Sequence, residues 1–357
     1  MPVFKILDIY IAKTLLTTTL LSLSVLVGLS ALIKFIEQMK QVGRGSYDMT
    51  VAAIYVLLSL PRELEQFFPM ATLIGGLIGM GILASNSELV VMQAAGQSRW
   101  NIITSAMKSA LLMVLFVMSI GEWVAPVTES KAKEIRTQAI SGGSLFASDK
   151  MTWAKDGNNF VSIGEVVDTK TLRKVNVYEF DENLVLRQIT SALQAKYVEN
   201  SWQLEQVKYT FVGDRRIRYE QVDKGVWQST LTPDKLGVVT VKPEALSIRG
   251  LVEYVNYRNN NSLDPSRYEL ALWRKVLQPL SIGVMLLMAL SFIFGPLRSV
   301  TMGARVILGV LTGFGFFVSN EIFGAFSLVY QLPAFFGAAL PNLVFAVFSM
   351  FLLQRKS

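Results

Sequence analysis

Six apolar runs, three before and three after a long polar stretch with strand-like texture, constrain this 357-residue chain more than any other feature. A segment that crosses the hydrocarbon core of a bilayer needs about 20 apolar residues. Residues 14–33 supply twenty without a charge, 66–87 supply twenty-two, and 100–121 carry only Lys108. After the polar middle come 276–297, 306–320 and 334–353, the second of them short because Glu321 interrupts it. The order predicts an α-helical membrane protein with six transmembrane helices (3+3) and one inserted domain outside the bilayer. The boundaries fall at 1–125, 126–265 and 266–357. The first run is full length and ends at Lys34-Phe35 with no small-residue cleavage site, so it reads as a retained span.

An even span count puts both termini on one side. Lys5, Lys13, Arg99, Arg298, Arg305, Arg355 and Lys356 then share that side, which the positive-inside rule makes cytoplasmic. A net charge of +7 is ordinary for such basic edges, and nucleic acid need not be invoked.

The chain has no cysteine and no histidine, which excludes disulfides, soft metal ligands and imidazole catalysis. It has no G-x-x-x-x-G-K-[ST] phosphate loop, so it does not hydrolyse ATP by that route. Glu63, Glu65, Glu122 and Glu321 all map near the external ends of spans and read as solvated helix ends. The expectation is a chain that is not an enzyme, with no catalytic residue, metal or bound cofactor.

A short external loop, 37–48, holds the flexible run Gly43-Arg44-Gly45-Ser46. Phe68-Pro69 predicts a half-turn or kink in the second span. Gly75, Gly76, Gly79 and Gly81 form a small-residue seam for close helix approach, either within the chain or with a partner chain. Residues 84–100 predict a short cytoplasmic helix at about 85–97, capped by Ser85 or Ser87, begun by Glu88 and stopped at Gly96. Leu89, Met92 and Ala95 share one face of it. Lying on the lipid surface and being gripped by a cytoplasmic partner both fit that pattern.

Beyond the third span, 122–140 stays helical, closed by Gly142-Gly143. From Met151 to Leu231 short strand patterns appear at 160–163, 174–178, 184–189 and 195–198. Turn signals at 156–159, 181–183 and 199–201 separate them. This predicts an antiparallel β-sandwich or jellyroll outside the bilayer, of a partial or open kind. A helix at 245–257 returns the chain, and Asp264-Pro265-Ser266 starts another that runs into the fourth span.

Lys34, Lys40, Lys133 and Arg136 lie on the external side, against the positive-inside trend. Snorkelling anchors explain them, and so does a ring that meets the phosphates of a lipid.

Several segments carry a resemblance that runs end to end. They include Gly45-Ser46-Tyr47-Asp48, Phe67-Phe68-Pro69-Met70, Ser87-Glu88-Leu89-Val90-Val91-Met92-Gln93-Ala94 and Gly121-Glu122-Trp123-Val124-Ala125-Pro126. Trp153-Ala154-Lys155-Asp156-Gly157-Asn158-Asn159-Phe160, Leu231-Thr232-Pro233-Asp234-Lys235-Leu236-Gly237 and the run Ala289 to Ser299 complete the set. In this order they resemble the lipopolysaccharide export permeases of the LptF/LptG (YjgP/YjgQ) family, with the LptG branch nearest.

The resemblance implies a permease subunit of an ABC transporter in a bacterial inner membrane. It would extract lipopolysaccharide and pass it to a periplasmic β-jellyroll bridge. An LptF-type permease paralogue, two copies of an LptB-type ATPase that uses the ATP, and an LptC-type periplasmic adaptor are the implied partners. The 85–97 helix becomes the coupling helix, with Glu88 meeting a cation of the ATPase and Leu89 and Met92 filling its groove. Competing expectations are a permease for another lipid and a non-transporting scaffold that anchors an envelope bridge.

Overall fold

The computed structural model describes residues 6–141, 152–168, 170–198, 201–213, 216–232, 243–261, 263–295 and 300–354. The expectations at Gly142-Gly143, at the turn Glu199-Asn200 and at Pro233 to Gly237 lie outside these residues. So do the end of the fourth span at 296–297, Ser299, and the cations Lys5, Arg298, Arg355 and Lys356.

The first apolar run forms α1 (Ile6–Met39), longer than the uncharged core of the run because its ends carry pairing polar residues. Asp48 caps α2 (Met49–Ser85) by accepting from the Val51 amide. This helix contains both Pro61 and Pro69, and at Phe68-Pro69, where a half-turn or kink was expected, α2 runs on as one helical element. The loop before it is tied down rather than flexible, because the Ser46 amide donates to the Ala139 carbonyl at 2.7 Å.

The short helix α3 (Glu88–Ala94) follows, then α4 (Arg99–Ser119), a π-helical turn (Ile120–Val124) and α5 (Ala125–Ser141). After the sheet, α6 (Ile248–Asn260) leads to α7 (Ser266–Val276) and α8 (Gln278–Phe294). The last helices are α9 (Met302–Val329) and α10 (Ala334–Gln354).

Five helical segments are long and apolar enough to cross a membrane, α4 and α5 counting as one, and α7 with α8 makes a sixth broken by a 51° bend. The helix expected to run into the fourth span thus does so through a bend. Glu321, expected to end the fifth span, lies inside α9 and pairs with Arg274 of α7 at 3.2 Å.

The membrane core joins α1, α2, α4 and α8 through Leu15, Leu73, Leu77, Ile102, Met285 and Leu286, all without exposed surface. Gly75 sits directly against the Thr19 backbone of α1, and the Thr18 hydroxyl donates to the Gly75 carbonyl at 2.7 Å. The small-residue seam is therefore used within the chain. Gly75→Val drives a side chain into backbone that cannot yield, and overpacking of this kind costs about 1–3 kcal/mol. A lowered midpoint in a detergent thermal-shift assay is the expected result.

The insert is one six-stranded antiparallel sheet in the order β1-β2-β3-β4-β5-β6. The strands are β1 (Thr152–Asp156), β2 (Asn159–Asp168), β3 (Thr171–Phe180), β4 (Leu186–Val198), β5 (Ser201–Val212) and β6 (Ile217–Trp227). It takes the open form of the expected roll, and the patterns at 184–189 and 195–198 belong to one long strand, β4.

A transverse crease crosses it. From β2 to β6 the register is the same on both sides of one row, yet among the described residues the ladder omits that level, of Gly164, Lys174, Leu193, Gln206 and Asp223. Lys174 and Gln206 have left-handed backbone there, with φ of 53° and 51°. Alternation slips at that row: Leu172 and Val175 are both buried, as are Ala192 and Ala195, and Leu204 and Val207.

Candidate functional site

The external cations do not form one ring. Lys34 on α1 pairs with Glu63 of α2 at 2.5 Å, and the Ser30 hydroxyl donates to the other Glu63 oxygen at 2.6 Å. Between α2 and α5, Glu129 takes Arg62 at 3.3 Å and Lys133 at 3.7 Å on the same oxygen. One turn further on, the Arg136 guanidinium lies 5.5 Å from the centre of the Tyr55 ring, and its buried Nε has no hydrogen-bond partner. Burial pushes the Tyr47 phenol up from its ordinary value, while the Arg136 charge pulls it down. Lys40 stands exposed in the turn after α1.

Three cations thus meet two carboxylates along α1, α2 and α5, and Arg136 over Tyr55 makes a fourth, leaving a net charge of +2 before Lys40 is counted. Arg62 and Glu129 were not singled out in the sequence. The i, i+4 spacing of Glu129 and Lys133 was the available signal.

The four external glutamates are not alike, and the reading of them as solvated ends fails for three. Glu63 and Glu65 are 6% and 8% exposed and each holds a lysine. Lys275 reaches Glu65 at 3.1 Å and also donates to the Gly121 carbonyl in the π-helical turn at 2.9 Å. Gln278 donates to the Glu65 carbonyl at 2.9 Å, so the bend between α7 and α8 is fastened to α2. A side chain at Gly121 would strike the Glu65 carboxylate. Glu122 caps α6 instead, accepting from the Ile248 amide at 2.8 Å. Only Glu321 stays exposed.

At the other end of the spans, α3 begins after Ser87, whose backbone is left-handed and whose side chain makes no cap. Neither serine does the expected capping. Glu88 starts the helix and is half-buried. Leu89 is buried and Met92 packs against the same membrane core, so the apolar face predicted for a partner lies against this chain. Val90 and Val91 are the open apolar pair, 54% and 65% exposed.

The inner face of the sheet is apolar, with Val161, Val177, Trp202, Leu204 and Val207 buried along it. Tyr254 and Tyr257 of α6 cover it. Burial, then Tyr254 and Asp156, push the Tyr257 phenol up to about 12, so it stays a donor, to the Lys155 carbonyl at 2.7 Å. A polar cavity of about 220 Å³ at the sheet is lined by Asn159, Glu179, Gln188, Thr190 and Tyr209 among others. No group of metal ligands occurs among the described residues.

Comparison with known proteins adds to this geometry. The family model for the lipopolysaccharide export system permease LptF/LptG matches residues 9–355. The lipopolysaccharide export system permease protein LptG of Escherichia coli strain K12 is 49% identical over 357 residues, covering 99% of each chain. The protein of the same description from Haemophilus influenzae strain Rd is 48% identical over 353 residues, 98% of each chain. The chain, with its split set of spans and its inserted sheet, belongs to the lipopolysaccharide export permease family LptF/LptG.

Proposed function

We propose that this chain is a permease subunit that lifts lipopolysaccharide out of the bacterial inner membrane and sends it outward along a periplasmic β-bridge. Both termini then face the cytoplasm and the sheet stands in the periplasm. The match from residue 9 to residue 355 carries the reading, because it takes in the spans and the sheet together.

Energetics require a motor. Each buried methylene is worth about 0.8 kcal/mol, so drawing one long acyl chain from hydrocarbon costs on the order of 10 kcal/mol. A lipid with several chains does not leave unaided. The chain has no phosphate loop of its own, and we assign the ATP to two copies of an LptB-type ATPase below the membrane. An LptF-type paralogue closes the cavity, and an LptC-type adaptor receives the lipid.

The net positive seam of Lys34, Arg62, Lys133 and Arg136, with exposed Lys40 above it, suits the phosphates of such a lipid. Lys34 is already paired, so its removal alone would strand Glu63 and confuse binding with stability. The informative variant is K34Q/E63Q, which removes the pair together, compared with R136Q. Photo-crosslinkers scanned along residues 14–40 and the inner strand positions of the sheet report the lipid's path. Crosslinking at the α1 rim is expected to fall about tenfold in R136Q, the scale of one charge-assisted contact. Unchanged crosslinking and transport in both variants would make these cations snorkelling anchors.

A further inference from the structure

Glu88 is not waiting free for a partner's cation. The Tyr10 hydroxyl of α1 donates to its Oε2 at 2.7 Å, and Asn86 donates to its Oε1 at 3.2 Å. Two residues before Tyr10, Asp8 is 2% exposed and accepts from Ser105 at 2.5 Å and Lys108 at 2.7 Å, both on α4. Residues two apart on a helix point about 200° apart around its axis. The foot of α1 therefore grips α4 with one side and α3 with the other.

The same helix carries Lys34 at its far end. At 1.5 Å per residue, Tyr10 and Lys34 are about 36 Å apart on one continuous element. A push on α3 that reaches Tyr10 is thus delivered to the cation-rich seam without crossing a loop.

We infer that Tyr10 is a positioning residue: it fixes the Glu88 carboxylate and ties α3 to α1, so that a docked motor's movement reaches the substrate end. This rests on the reading of α3 as the motor's docking point. A plain interfacial aromatic would need only its ring, since amphipathic aromatics sit at the headgroup level whatever they bond to. The hydroxyl separates the two roles. Y10F keeps the ring and loses the donor.

The test uses the full chain in its assembled transporter, reconstituted in vesicles with lipopolysaccharide as substrate. ATP hydrolysis and lipid release are measured together. In Y10F the ATPase subunit is expected to co-purify at the wild-type ratio and to hydrolyse ATP within about twofold of normal. Lipid released per ATP is expected to drop about tenfold, the loss carried by one hydrogen bond to a charged group. E88Q, which leaves an acceptor for Tyr10 but a neutral one, should give an intermediate ratio. A wild-type ratio in Y10F overturns the inference, as does a drop in hydrolysis that matches the drop in release. Docking is judged separately by substitution of Val90 and Val91, which do not touch the tether. If the ATPase still binds those variants, the docking reading fails whatever Y10F does.

Discussion

Replacing Lys275 with methionine is expected to destabilise the chain by about 3–5 kcal/mol, the cost of stranding one member of a buried ion pair. Glu65 is left 8% exposed without its paired cation, the Gly121 carbonyl loses its donor, and the bend between α7 and α8 loses a fastening to α2. A detergent thermal-shift or size-exclusion assay reads the loss directly. E65Q in the same background removes the stranded charge and is expected to recover most of it, because a pair replaced as a unit is often nearly neutral. A methionine variant as stable as the wild type would mean that water reaches Glu65 and that the bend is held by packing alone.

The second large effect is expected at α3. Aspartate at both Val90 and Val91 puts two charges on the open apolar pair, and burying an unpaired charge against a partner is costly. Co-purification of the ATPase subunit is expected to fall by at least about tenfold, with the fold intact because neither side chain belongs to the core. Full retention of the ATPase would favour the simpler role for α3, that of lying on the lipid surface.

The division into three spans, an insert and three spans was legible because bilayer thickness imposes a length that composition reveals. The bend at Leu277 was not read, although Gln278-Pro279 marks it, since no charge interrupts the run from Val276 onward. What bends the chain is polar: Lys275 and Gln278 reach across to α2, to a residue more than 200 positions earlier. Glu63 and Glu65 were misread for the same reason. A carboxylate near a span's end looks solvated until the helix that brings its lysine is in place.

At α3 the helical spacing was legible and the surface it packs against was not. Leu89 and Met92 follow helical spacing, but a seven-residue helix between two spans first buries its apolar side on its own protein. Val90 and Val91 face outward by default. In the sheet, period-2 alternation was partial because it slips at the transverse row, which split β4 into two apparent strands.

That row also has a bearing on what the sheet's margin will accept. Among the described residues β6 is paired on one side only, and an open margin invites any extended chain to join it. A newcomer aligned on β6 matches Ile217 to Val222 or Lys224 to Trp227, and between them meets Asp223, where the ladder is interrupted. To go on with its apolar side chains inward it must carry the same slip at the same position. A plainly alternating segment is expected to match β6 over only a few residues on one side of that row, so the row limits the length of ladder the margin can offer.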